Sequence, residues 1–329
     1  MTRPVTAGVV GVGRLGGEHA RVLSALPGAE LVGVHDVDAA RGEEVAAGAG
    51  TTHAATLEEL AGRAEALVVA VPTGRHHAVA RRALEGGCHV LVEKPLAETL
   101  EEADELIETA EARGLRLGVG HVERFNRAVR SCRPHLRKPR FIESLRLAPF
   151  QPRGTDVTVV LDLMIHDIDL VLGLVDAPLA SLHAVGTPVL TGQIDIANAR
   201  LVFEDGAVAE ITASRVSEER TRVLRLFQTD GYLRLDLAGG RGEFLRRRDL
   251  PAGDGQPDSL EDLVERVPLR GDGAEPLRLE LESFLDAVRG RESPMVSARE
   301  GRAALEIALR ITREIERFAD VALEAQGRA

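Results

Sequence analysis

The chain has no tryptophan, one tyrosine and two cysteines among 329 residues. Cys88 and Cys132 lie far apart and lack metal-ligand spacing, which excludes a disulfide framework and a zinc site and reads as free thiols in a reducing compartment. A net charge of −11 leaves no extended basic footprint, so general nucleic-acid binding is excluded. The N-terminus lacks a basic leader with an apolar run and cleavage site, and no segment approaches a membrane span, so a cytoplasmic enzyme without membrane partners is expected. Lysine is nearly missing as well. Of 41 Lys and Arg, only Lys94 and Lys138 are lysines. Arginine stays charged in proteins, whereas lysine can be tuned toward neutrality, so a retained lysine invites a chemical reading. Chance survival is the alternative, and Lys138 in "LRKPR" reads that way.

The first third alternates short apolar runs with helical periodicity. "TAGVVGV", "ELVGVHD", "EALVVAVP", "CHVLVEKP" and "LRLGVGH" are uniformly apolar strands separated by single helices, which implies parallel pairing with both sheet faces covered. A doubly wound α/β sheet over residues 1–122 is expected. Within it, Gly11-Val12-Gly13-Arg14-Leu15-Gly16 fits G-x-G-x-x-G at a strand-to-helix turn, where glycines let the backbone approach a pyrophosphate at a helix N-terminus. Twenty residues past Gly16, Asp36 ends the second strand and can accept both ribose hydroxyls of NAD. It would repel a 2′-phosphate, and no arginine follows it directly, so NAD is favoured over NADP. Arg41 is the one nearby residue that pulls the other way.

The fourth apolar run ends on Glu93, Lys94 and Pro95. Ligands of open parallel sheets bind outside the carboxyl ends of the strands, so Lys94 is expected to face the nicotinamide, its direction restricted by Pro95. A structural Glu93–Lys94 pair is the alternative.

From Glu123 the alternation stops. Successive strands joined by turns such as Glu204-Asp205-Gly206 and Thr229-Asp230-Gly231 indicate a mostly antiparallel sheet, followed by a loop over 248–276 and two terminal helices. Residues 123–329 are expected to form a second, α+β domain with a large open sheet. One helix, "TVVLDLMIHDIDLVLGLV" (158–175), is apolar nearly all round except for Asp162, His166 and Asp169 at i, i+4 and i+7, with Asp167 beside them. A polar stripe on a buried helix must face partners, water or a substrate. His166 is the natural proton acceptor, with Asp162 one turn away to orient it or to bind a hydroxyl. A satisfied core histidine and helix-stabilising aspartates are the alternative.

The glycine motif, "VPTGRHHAVARRALEGGCHVLVEKPLAET" and the Asp162-x-x-x-His166-x-x-Asp169 helix together resemble the glucose-fructose oxidoreductase, inositol dehydrogenase and rhizopine-catabolism (Gfo/Idh/MocA) family. The resemblance implies a Rossmann domain plus an open-sheet domain that builds homodimers or homotetramers. It implies Lys94, Asp162 and His166 as catalytic residues and cofactor contacts from Gly11, Gly13, Arg14, Leu15, Gly16, Asp36, Pro72, His76, Glu93 and Lys94. That family usually has glycine where Met164 stands. "GHVERFNRAV" and "DLMIHDIDLVL" further resemble the branch that oxidises UDP-N-acetylglucosamine at C3, which adds Asn126 to the substrate side. From the residues themselves, 124–140 holds seven basic groups and no acid. Arg124, Arg127 and Arg130 on one helical face would offer forked donors to a diphosphate, a solvated or ion-paired surface being the alternative. The expectation is an NAD-dependent dehydrogenase of a sugar, cyclitol or nucleotide-sugar hydroxyl. Its rivals are an enzyme that retains NAD without net redox and a non-catalytic NAD sensor.

Overall fold

The structure is a computed structural model that describes residues 3–152, 157–248 and 259–326. The chain opens with β1 (Val5–Val10), α1 (Arg14–Ala25), β2 (Ala29–His35), α2 (Ala39–Ala49), α3 (Leu57–Ala61) and β3 (Ala66–Val69). It continues through α4 (His76–Glu85), β4 (His89–Glu93), α5 (Leu100–Ala112) and β5 (Leu117–Gly120). These strands form one sheet in the order β2-β1-β3-β4-β5, every pair parallel. The strand order reverses between β1 and β3, which is where ligands bind in such sheets. Helix starts follow local chemistry. Thr99 and Glu102 close a capping box at α5, each satisfying the other's backbone amide.

The middle of the chain gives α6 (Arg127–Cys132), β6 (Phe141–Leu147), a π-helical turn over Val160–Met164, α7 (Ile165–Leu174), β7 (Leu179–Thr187), β8 (Ile196–Phe203) and β9 (Val208–Ser214). It then gives β10 (Thr221–Gln228), β11 (Gly231–Asp236), β12 (Arg241–Arg247), α8 (Leu260–Leu263) and β13 (Val264–Arg270). These eight strands pair in the order β13-β12-β11-β10-β6-β9-β8-β7. Only β6 and β9 run parallel. One face is core, with Ile142, Ile211, Leu224 and Leu233 fully buried, and α7 packs across β6 and β9. The other face carries a row of rings, Phe141, Phe227 and Tyr232, with centroids 5.7 and 5.2 Å apart, and a half-exposed Leu145.

The chain closes with α9 (Pro276–Val288) and α10 (Ala298–Gln326). It divides into two compact units, Met1–Val122 with Ala274–Glu306, and Glu123–Gly273 with Ile307–Ala329. The expectation gave all of 123–329 to one domain. Instead, Ala274–Glu306 returns to the first unit, because Leu281, Phe284 and Leu285 of α9 complete the core that Val22 and Leu23 of α1 begin. Full burial of such side chains stabilises by about 1.5–3 kcal/mol each, enough to decide where the helix settles.

A second correction concerns the expected 248–276 loop, which contains α8 and β13. Its residues 249–258 lie outside the described residues. Both cysteines are free and buried, which pushes the Cys88 thiol up to about 11 and that of Cys132 to about 12. Among the described residues, no helix is long and apolar enough to cross a membrane.

Candidate cofactor cradle and catalytic helix

The turn after β1 divides its glycines between two jobs. Gly11 has φ +81°, and a β-carbon there would strike Val71 and the Ala70 backbone; one on Gly16 would lie 1.8 Å from the Gly11 carbonyl oxygen. Only glycine lets α1 start this close to the strand. Gly13 differs, since nothing lies within 4 Å of the position its β-carbon would take. Gly13, Arg14 and Leu15 form the exposed tip of the turn, and α1 has no side-chain cap, so its first amides point outward unclaimed by any side chain. That is a cradle for an anionic group at a helix N-terminus, and it fits the pyrophosphate of a dinucleotide. Asp36 follows β2 directly. Its Oδ2 accepts the Val12 amide at 2.7 Å and its Oδ1 the Asp38 amide at 2.9 Å, which fixes the carboxylate beside the turn with lone pairs left for ribose hydroxyls. Arg41 is turned toward the Val12 carbonyl, at 3.1 Å, and pairs with Glu44 at 2.8 Å.

At the end of β4, Glu93 is the hub. His19 of α1, fully buried, donates from Nε2 to Glu93 Oε1 at 2.7 Å, while Glu93 Oε2 accepts the Lys94 main-chain amide at 3.3 Å. Burial works against ionisation of Glu93, but the His19 hydrogen bond and the nearby charge of Lys94 hold its carboxyl below the usual range. The Lys94–Pro95 peptide is cis. His76 was expected to touch the cofactor, yet it is 1% exposed. Its Nδ1 lies 2.7 Å from the Pro95 carbonyl oxygen and its Nε2 2.9 Å from that of Val71. Burial holds this ring below the ordinary histidine pKa although both carbonyls favour the charged form. Its place is to lock the ends of β3 and β4 together. Pro72 opens the 3-10 turn Thr73–Arg75 that leads into α4.

On the second unit the polar stripe separates into an open and a closed half. Asp162 and His166 are half-buried, whereas Asp167 and Asp169 are fully buried. Asp162 sits inside the π turn, where the Ile165 amide reaches back to the Val160 carbonyl; such turns recur at functional sites. Met164, closing that turn, is fully buried. Asp167 receives the Arg146 guanidinium at 2.6 and 3.0 Å and the Ser144 hydroxyl at 2.9 Å, and Arg146 also donates to Glu123 at 3.0 Å. These two carboxylates keep the Arg146 pKa raised despite burial. Nothing in sequence spacing pointed to Arg146 or Glu123.

The basic segment is rearranged relative to expectation. Arg124 lies in a 3-10 turn over Val122–Phe125, and only Arg127 and Arg130 belong to α6, so the three do not share a helical face. Arg124 forks onto Asp169 with two 2.8 Å bonds, and Arg130 pairs with Asp272. Asn126 is buried too. Its amide donates to Glu123 and to the Leu237 carbonyl, and its oxygen caps α6 at the Ala128 amide. Arg124 and Asn126 therefore brace the scaffold around α7, and the acids that answer the basic segment come from elsewhere in the chain.

A glycine turn open at its tip, an aspartate fixed beside it and a five-stranded parallel sheet make up a nucleotide-binding unit. The pattern of the oxidoreductase family with an NAD-binding Rossmann fold matches residues 5–121, and that of the GFO/IDH/MocA C-terminal domain matches 129–234. The chain is 36% identical over 314 residues to the UDP-N-acetylglucosamine 3-dehydrogenase of Acidithiobacillus ferrooxidans, covering 94% of this chain and 97% of that one. A solved structure of that enzyme superposes with a TM-score of 0.88 at 34% identity, covering 97% and 99% of the two chains. The NAD-dependent scyllo-inositol 2-dehydrogenase of Bacillus subtilis is 27% identical, covering 99% and 98%. The protein belongs to the Gfo/Idh/MocA oxidoreductases, and its relatives are dehydrogenases that act on CH–OH groups.

Proposed function

We propose that the protein oxidises a secondary hydroxyl of a nucleotide sugar with NAD, UDP-N-acetylglucosamine and its C3 being the best-supported substrate and carbon. The observation that carries the chemistry is the split stripe. Asp167 and Asp169 are buried against arginines, whereas Asp162 and His166 are half-exposed and one turn apart. The end-to-end similarity to a UDP-N-acetylglucosamine 3-dehydrogenase supports the substrate. When bound, NAD supplies the acceptor for the hydride that leaves the carbinol carbon. His166 takes the hydroxyl proton as general base, and Asp162 orients it or holds a neighbouring hydroxyl. Lys94 donates to the reacting oxygen and stabilises the charge that develops there, with Glu93 directing it. Preference for NAD over NADP is supported by Asp36, whose carboxylate beside the glycine turn would repel a 2′-phosphate, and by Arg41 bonding Val12 and Glu44.

The test is NADH absorbance with UDP-N-acetylglucosamine, N-acetylglucosamine, glucose and myo-inositol as substrates. Turnover concentrated on the UDP-sugar is expected. Equal turnover of the free sugars would remove the nucleotide-sugar reading and leave the dehydrogenase standing. We also propose that copies associate through the outer sheet face with Phe141, Phe227, Tyr232 and Leu145; light scattering showing a monomer would contradict it.

A further inference from the structure

Glu93 is built in from three sides. Its carboxylate lies against β5, where a β-carbon on Gly120 would stand 3.1 Å from both its Cδ and its Oε2, so glycine at that position makes room for it. His19 reaches it from α1, within the helix that follows the glycine turn. Glu280 of α9, 2% exposed, brings a second carboxylate, and one ligand atom from each of His19, Glu93 and Glu280 lies within 4.8 Å of the others. Burying an imidazole and two carboxylates costs solvation that an apolar trio would not, and apolar replacements of buried ionic groups are often neutral or stabilising. Within the cluster, Glu93 Oε2 accepts the Lys94 main-chain amide.

We propose that His19 is a positioning residue for Lys94: by holding one oxygen of Glu93, it presents the other to the Lys94 main chain and ties the lysine turn to the helix that carries the cofactor cradle. The proposal rests on the reading that Lys94 is catalytic. It makes cradle and lysine one rigid piece, since α1 contributes amides at its N-terminus and His19 further along. The ionisable groups facing Glu93 are His19 from α1, Glu280 from α9, His76 from α4 and Lys94, the residue that follows it. A Glu93 carboxylate favours the Lys94 ammonium, so losing that charge lets the lysine deprotonate at lower pH.

The experiment compares His19→Leu, His19→Gln, Glu93→Gln and Lys94→Met in full-length protein with NAD and UDP-N-acetylglucosamine. His19→Leu is expected to lose at least tenfold in kcat with the Kd for NAD within about twofold, since NAD-binding groups are untouched. Glutamine places an amide donor near the Nε2 position, so His19→Gln should recover most of that loss. Glu93→Gln should lower kcat and move the basic limb of the kcat/KM profile to lower pH, an effect that a purely structural role would not produce. If His19→Leu fails to fold, the Glu93→Gln profile and His19→Gln decide. Inactive Lys94→Met beside a His19→Leu that turns over within threefold of the parent overturns the positioning role alone. An unmoved basic limb in Glu93→Gln also overturns it. An active Lys94→Met overturns the catalytic reading and the inference together.

Discussion

Arg146→Met should be among the most damaging single substitutions in the second unit. The guanidinium is 2% exposed and serves two carboxylates, Asp167 at 0% and Glu123 at 8% side-chain exposure. Methionine fills much of its volume but leaves Asp167 with only the Ser144 hydroxyl among its observed side-chain donors. Breaking a buried pair from one side costs about 3–5 kcal/mol. For a unit of this size that lowers the Tm by about 6–20 °C. With no tryptophan and one tyrosine, far-UV circular dichroism in urea is the suitable probe. Arg146→Met/Asp167→Leu removes both partners and should recover most of the loss, because Glu123 keeps Asn126 and Arg222. Salt should change neither difference much, since the groups are dry. A single-variant loss below about 1 kcal/mol, or a double variant no better than the single, would refute the argument that the pair matters through uncompensated burial. Because Asp167 adjoins His166, kcat should fall with the single variant as well.

Gly173→Ala tests the brace from the other side. Alanine gains about 1 kcal/mol of helix propensity, but its methyl would sit 2.8 Å from Arg124 Cζ and push the fork off Asp169, so a lower Tm is expected and a higher one speaks against the brace. Asp36→Ala should weaken NADH binding about tenfold or more and narrow the gap to NADPH, the worth of a charge-assisted hydrogen bond; tighter binding of NADPH than NADH by the parent would reverse the assignment. Lys94→Arg keeps the charge but not the shape or proton chemistry, and should lose about 10² to 10⁴ in rate with NAD binding nearly intact. Turnover within about threefold of the parent would make Lys94 structural.

The glycine turn, Asp36 and the five parallel strands were legible because each is a local pattern with a local cause. The placing of Asp162 and His166 one turn apart, across the π turn and α7, was legible in the same way. What escaped depended on distant partners. Asp169 looked like an open member of the stripe until Arg124, 45 residues earlier, closed over it. β13 was hidden for a different reason: among the described strands it lies at the sheet edge and pairs with β12 alone, so it tolerates Pro268 and alternating charges that read as loop. The π turn has no periodic signature, since it adds one residue to one turn. The amphipathic face of α9 announces that something covers it without saying what, which is why its return to the first unit was not visible.

That return also bears on how the chain emerges during synthesis. Val22, Leu23 and Leu26 are finished early, but Leu281, Phe284 and Leu285, which share their cluster, come near the end. At ordinary elongation rates, roughly 10–50 s separate the two groups leaving the ribosome. The first unit thus cannot seal itself while the second is being made, and a fragment stopped at Val122 would present a bare apolar patch to chaperones instead of a finished nucleotide-binding domain.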